Sequence, residues 1–390
     1  MSAARARLRE ARRLVVKLGT QVVTHDGVEL ALGRLMGLVE SLARLRQEGR
    51  ELLLVSSGAV GMGRRALGLQ ERPRSLGLRQ ACAAVGQGHL MSVYTRAFSE
   101  LGLVTAQVLL TQEDLADRDR ALCLRTTLLR LLELGTLPVL NENDSVSVRE
   151  LVEHRRRAGQ DGEPGEPAFG DNDGLSARVA VATDADLLVL LTNVAGVFTG
   201  HPQRDPQARL IPEIGDVDQA LLAAAAGGSA GGTGGMQSKL EAARLVAGEG
   251  IPALVASGDE PRVLERVLEG EPLGTLVVPR EWRPARLRRI AVGEARGALV
   301  VNDGAARALG AGKASLLPVG VTAVSGEFEK GDVIEIRDQS GRVLGRGLVN
   351  YDASACRALL GRQSDEIEGL LGWRGYDALV TRDNLAVGAL

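Results

Sequence analysis

Two lysines in this chain stand beside glycine-bearing turns in surroundings that suit the handling of phosphate. Lys17 follows the apolar run of VVKLGT, Val15–Thr20, and the next glycine lets backbone approach a phosphate closely. Alone this is a weak signal, because a lysine at a strand end more often marks a solvated edge. Lys239 closes the glycine-rich run GGTGGMQSKL, Gly231–Leu240. Glycines leading into a lysine-bearing helix suit a polyphosphate: backbone N–H groups cradle the oxygens and the ammonium supplies charge. The run is not the GxxxxGK[ST] loop, since its lysine does not directly follow a glycine, and it does not fit GxGxxG with a ribose-binding acid.

Three polar clusters accompany the lysines. VSSGAVGMG, Val55–Gly63, reads equally as an anion site at a helix start or as tight helix–strand packing. LNENDSV, Leu140–Val146, sets Asn141, Glu142, Asn143 and Asp144 at one strand terminus, more polar side chains than a turn needs. GDNDGLSA, Gly170–Ala177, places Asp171, Asn172 and Asp173 before a helix. Capping explains one of these three, and a carboxylate here is suited to orient lysines or help hold a magnesium ion. Together the five segments specify phosphoryl transfer, a reaction catalysed mainly by positioning and charge.

The elements that must position these residues form a β-then-α rhythm. Apolar runs predict strands at Leu14–Leu18, Leu52–Val55, Val104–Leu109, Leu137–Leu140, Leu187–Leu191, Ala253–Ala256 and Leu276–Val278. Helical periodicity covers Leu32–Glu48, Asp117–Leu134 and Met236–Gly248. Parallel strands need crossover connections, so the pattern implies a mostly parallel sheet covered on both faces. Residues 150–170 are charged and aperiodic and predict a mobile loop, while GGSAGGTGG, Gly227–Gly235, cannot form regular structure cheaply. The arginine run Arg280, Arg283, Arg286, Arg288 and Arg289 precedes alternating segments such as GDVIEIR, Gly331–Arg337. We therefore expect a catalytic domain over 1–280, a small mostly-β domain over 288–372 and a C-terminal tail over 373–390.

Composition excludes several alternatives. At 390 residues the chain exceeds a single core. A net charge of −2 gives no electrostatic reason to expect nucleic acid or membrane as main partner, and 2% aromatic content leaves few stacking platforms. Cys82, Cys123 and Cys356 stand far apart and the four histidines do not cluster, which argues against a zinc site or disulfide framework and fits a reducing cytoplasm. No apolar run reaches membrane-spanning length, and the arginine-rich start lacks the apolar core of a signal peptide.

VVKLGT, SSGAVGMG, NENDSV, FGDNDGLSA and GGTGGMQSK, in this order, resemble the amino acid kinase family, and within it the kinases acting on the side-chain carboxylate of glutamate. The likeness extends from Val15 to about Gly372. It implies a three-layer α/β/α sandwich around a mainly parallel sheet, and transfer of phosphate from ATP, with Mg²⁺, to L-glutamate, giving L-glutamyl 5-phosphate for proline biosynthesis. Position by position, it implies that Lys17 and Lys239 contact the phosphates and that Asp173 organises those lysines. It assigns Ser57, Asp144 and Asn172 to glutamate. Lys17, Thr192, Asn193 and the run Thr233, Gly234, Gly235, Met236, Gln237, Ser238 and Lys239 go to ATP, and no protein-held metal is implied. The nucleophile needs no general base, because a glutamate side chain with a reference pKa of about 4.3 is already ionised.

The resemblance further implies a cytoplasmic homo-oligomer, dimer or tetramer, inhibited by proline. Two features depart from it: Asn193 stands where the family commonly has Asp, and the 150–170 loop is longer and more charged. That loop reads equally as a lid or as surface. GALVVNDGAARAL, SLLPVGVTAV, GEFEKGDVIEI and GRGLVNYDA, over about 288–372, resemble a PUA domain, which motivates an RNA-binding role as a second reading. Kinases of the same fold acting on acetylglutamate, carbamate or UMP are the nearer rivals. The C-terminal domain and the NENDSV and GDNDGLSA pair favour glutamate.

Overall fold

The structure is a computed structural model that describes residues 2–387, apart from 74, 147–171, 201, 203–204, 226–234, 283–286, 288–289, 291–292, 311–313 and 374. The 150–170 loop, most of Gly227–Gly235 and most of the arginine run lie outside the described residues. The chain divides into two units, Met1–Trp282 and Arg283–Leu390.

The first unit opens with α1 (Ala3–Arg7), β1 (Arg13–Leu18), α2 (Thr20–Val23) and a short hairpin, β2 (Thr24–His25) and β3 (Glu29–Leu30). There follow α3 (Leu32–Gln47), β4 (Glu51–Ser56), α4 (Ala59–Ala66), the long α5 (Leu76–Glu100) and β5 (Thr105–Leu110). Next come α6 (Gln112–Ala116), α7 (Arg118–Glu133), β6 (Leu137–Glu142), α8 (Asn172–Ala182) and β7 (Leu187–Thr192). The unit closes with β8 (Glu213–Ile214), α9 (Gln219–Ala225), α10 (Met236–Gly248), β9 (Ala253–Ser257), α11 (Val263–Leu268) and β10 (Thr275–Val277).

Its eight-stranded sheet runs β5-β6-β4-β1-β7-β9-β10-β8. Neighbours from β5 to β9 are all parallel, and β10 is antiparallel to β9. The central strands are mostly apolar because both faces are covered: all six residues of β1 and all six of β7 are buried. Period-two alternation sorts them. Leu14, Val16 and Leu18 join one core with Leu35 and Leu42 of α3 and Tyr94 and Phe98 of α5. Val15, Leu53 and Leu188 join the opposite core with Leu128 of α7, Val179 of α8 and Leu240 of α10. This is the expected three-layer α/β/α sandwich.

Two local devices shape the unit. α4 lies so close to α5 that a Cβ on Gly63 would stand 1.8 Å from the Cys82 carbonyl oxygen, and one on Gly86 would stand 1.7 Å from that of Ala59. At the sheet edge the buried Arg5 guanidinium donates to the carbonyls of Glu271, Leu273, Pro212 and Gly274, each at 2.9 Å. Four acceptors plus the ion pair with Glu213 offset the cost of burying that charge.

The second unit contains β11 (Gly297–Val301), α12 (Asp303–Gly310), β12 (Val321–Gly326), β13 (Val333–Arg337), β14 (Val343–Leu348), α13 (Ala353–Ala358), α14 (Ile367–Leu371) and β15 (Leu385–Val387). Its five-stranded sheet runs β12-β11-β13-β14-β15. Leu299, Ile334, Ile336, Tyr351 and Cys356 share a core with Leu379, Val380 and Leu385. Residues set apart in the sequence as a tail over 373–390 therefore supply an edge strand and core side chains. The segment is glycine-punctuated and β15 has only three residues, so it carried no periodicity to read.

Candidate active site

β1 is the strand from which the chain departs in both directions: β4 and β6 lie on one side, β7 and β9 on the other. All five run parallel, so their carboxyl ends share one edge, the edge at which open α/β sheets commonly bind ligands. Lys17 lies one residue inside β1 rather than after it, paired in register with Val55 and Leu190. Alternation places it on the Val15 face, beneath α8 and α10.

Those helices supply its partners. Asp173, in the first turn of α8 where a helix favours negative charge, is fully buried. Its Oδ1 lies 2.6 Å from Lys17 Nζ and its Oδ2 accepts from Lys239 Nζ at 3.0 Å and from Ser238 Oγ at 2.8 Å. Lys17 and Lys239 are only 2% and 4% exposed. Among the described residues, two buried ammonium groups share this one carboxylate, an arrangement whose chemistry suits an anionic ligand. Gly19 completes this corner: a Cβ there would stand 3.2 Å from the Leu191 carbonyl oxygen, to which Gly19 N–H donates at 3.1 Å.

Asn172, one residue before Asp173, begins a second, uncharged network on the β4–β6 side. Its Nδ2 reaches Ser57 Oγ and Asn141 Oδ1, both at 2.9 Å, and the Ser56 carbonyl at 3.3 Å. Asn141 lies within β6, only 3% exposed, and donates to Gln87 Oε1 on α5 at 2.8 Å. Ser56 Oγ pairs with Tyr94 Oη at 2.7 Å. Burial holds the Tyr94 phenol well above its ordinary value, the Ser56 hydrogen bond offsetting part of the rise, so it stays neutral. Asp144 stands in the turn that follows β6.

On the other side, Thr192 ends β7 and donates to Asn193 Oδ1 at 3.3 Å. Gly235 caps α10, which carries Met236, Gln237, Ser238 and Lys239. Gln237 points outward and donates to Glu241 at 2.9 Å. Thr233 and Gly234 lie outside the described residues. The structure thus joins Lys17, Asp173, Ser238 and Lys239 in one cluster and Ser57 and Asn172 in the adjoining one. Sequence reasoning missed Gln87 and Tyr94. Their spacing of two helical turns was visible, but a glutamine in a helix reads as solvent-facing until its neighbours are known.

A profile of the amino acid kinase family matches residues 12–257, and one of the PUA domain matches residues 297–371. The chain is 46% identical over 386 residues to glutamate 5-kinase of Moorella thermoacetica, covering 98% of each chain. It is 46% identical to glutamate 5-kinase of Gloeobacter violaceus, covering 95% of this chain and 98% of that one. With glutamate 5-kinase of Azoarcus sp. it shares 44% identity over 98% of this chain and all of the relative. A buried two-lysine cluster on the central strand of a mainly parallel sheet, with relatives matched along the full length, leads to one statement: the chain belongs to the amino acid kinase family and carries a C-terminal PUA domain.

Proposed function

We propose that this protein transfers the γ-phosphoryl group of ATP to the side-chain carboxylate of L-glutamate, forming L-glutamyl 5-phosphate, the first step of proline biosynthesis. The observation that carries the reading is the Lys17–Asp173–Lys239 bridge, whose Asp173 adjoins the Asn172 amide network in the chain. Charged phosphate goes to the first and a small polar substrate to the second.

Lys17 and Lys239 hold oxygens of the transferring group and offset the charge that builds as a carboxylate approaches a polyphosphate. Asp173 keeps both ammonium groups aimed at that point. Ser57, Asp144 and Asn172 hold glutamate on the β4–β6 side. Thr192, Asn193 and the segment from Thr233 to Lys239 line the nucleotide on the β7 side. The glutamate carboxylate attacks as the anion it already is, so no residue need remove a proton. Among the described residues no group of three or more His, Cys, Asp or Glu is placed to hold a metal. Mg²⁺ would arrive chelated by ATP, keep few protein ligands and supply charge neutralisation between the phosphates.

We assign this chemistry to residues 1–280 and the PUA domain to 288–372. A cytoplasmic homo-oligomer inhibited by proline completes the proposal, with RNA binding by the PUA domain as a second reading. Among the described residues no helix is long and apolar enough to cross a membrane.

The test is ADP release with glutamate, acetylglutamate, carbamate and UMP offered in turn. Glutamate-dependent turnover is expected; robust UMP turnover without it rejects the reading. Lys17→Ala and Lys239→Ala should each lower kcat by about 100-fold or more while the fold survives, since Asp173 keeps one lysine partner in either variant. Near-normal kcat in both would also reject it.

A further inference from the structure

Gln87 is buried, 9% exposed, and the chemistry above gives it no task. Its position in the amide network does. Glu142 backbone N–H, which can only donate, reaches Asn141 Oδ1 at 2.9 Å, so the Asn141 amide has one allowed orientation. Its Nδ2 must then face an acceptor, and Gln87 Oε1 is that acceptor. With Oδ1 of Asn141 fixed as an acceptor, Asn172 must present Nδ2 to it, a choice reinforced by the Ser56 carbonyl. Asn172 Oδ1 is thereby turned out of the network. It is buried and has no hydrogen-bond partner among the described residues. A buried acceptor left empty is uncommon in a folded protein, so this oxygen is poised to receive a donor from the bound molecule.

We infer that Gln87 is a positioning residue for the glutamate subsite: through Asn141 it sets which end of the Asn172 amide meets the substrate, leaving Asn172 Oδ1 to accept from a substrate N–H such as an α-ammonium group. The inference rests on the proposed glutamate reading. Tyr94, two turns further along α5, holds Ser56 in a parallel way, so one helix backs the subsite at two points. Removing the Gln87 acceptor strands the buried Asn141 Nδ2. To satisfy it, the Asn141 amide must turn its Nδ2 toward Asn172, giving up the bond from Glu142 N–H, and Asn172 must flip in turn to offer its oxygen inward, which points an NH₂ group at a cationic substrate nitrogen.

Gln87→Met keeps the size and removes the acceptor, whereas Gln87→Glu keeps an acceptor oxygen. In Gln87→Met, KM for glutamate should rise about tenfold, the loss expected for one buried hydrogen bond, with kcat and KM for ATP within about threefold of wild type. Gln87→Glu should stay within about threefold in all three. An unchanged glutamate KM in folded Gln87→Met, a parallel loss in both KM values, or a Gln87→Glu variant no better than Gln87→Met overturns the inference. A second readout does not need turnover. In protein labelled with [¹⁵N]asparagine, the side-chain NH₂ signals of Asn141 and Asn172 should shift in Gln87→Met and return in Gln87→Glu. Signals indifferent to residue 87 overturn the relay. A wild-type enzyme without glutamate turnover would reject the proposed function instead, and the NH₂ signals would still decide the relay.

Discussion

Asp173 sets the electrostatics of the site more than either lysine does. Removing one lysine leaves the other paired with Asp173, whereas Asp173→Asn takes from both ammonium groups the carboxylate that they share. Breaking a buried ion pair from one side costs about 3–5 kcal/mol, so Asp173→Asn should melt well below wild type and lose turnover by at least about 100-fold. ADP should raise its melting temperature by more than it raises that of wild type, because the polyphosphate then supplies the missing negative charge. An equal ADP effect in a melting experiment would contradict this account. At this scale the charged half of the candidate site was legible only from the five segments taken together, because a lone lysine at a strand end reads as a solvated edge. Of the neutral half, Ser57, Asn141 and Asn172 were named but Gln87 was not: Asn141 and Gln87 are 54 positions apart, and only the packing of α5 near β6 brings them together.

The helix α4 owes its placement to glycines rather than to apolar side chains. The Gly63 Cβ position falls on Cys82 backbone, which has no flexible end to yield. Overpacking of this kind costs about 1–3 kcal/mol or more, so Gly63→Ala should lower the urea midpoint sharply. Gly37 is the contrast. It sits exposed within α3 with nothing within 4 Å of a Cβ, and Gly37→Ala should stabilise by about 0.5–1 kcal/mol in the same assay. Gly63 thus packs helix against helix, whereas the sequence offered helix–strand packing or an anion site for this segment. Strands β1, β4, β6, β7 and β9 were legible because burial on both faces makes them unbroken apolar runs. The hairpin β2–β3 and strand β8 have two residues each, too few to show a period. α5 was obscured because its exposed face carries Gly77, Ala81, Ala84 and Gly88, which blunt the contrast between its sides.

At the scale of the whole chain, the second unit should be the more acid-sensitive in its surface pairing. Hydrogen bonds from Arg337 hold the Glu335 carboxyl below its usual range, and Ser340 and Ser354 do the same for Asp338 and Asp352. A carboxyl depressed in the folded state stabilises it above the unfolded value, and that contribution is lost as pH falls through the folded one. Melting followed by Trp373 fluorescence in a Trp282→Phe background should therefore hold steady above about pH 5 and decline below about pH 4, less steeply in Glu335→Gln. Truncation after Gly372 should unfold this unit, since Leu379, Val380 and Leu385 leave its core; an unchanged near-ultraviolet signal would contradict that. The Arg5 clip has a consequence in time. Its four carbonyl acceptors belong to residues 212–274, and β1 gains its second neighbour only with β7. On the ribosome, the first residues to emerge must wait for almost the entire first unit before they can dock. The N-terminal segment is therefore a closing stitch, and until residue 274 has left the exit tunnel the nascent sheet is open at its edge and its lysine cluster only just assembled.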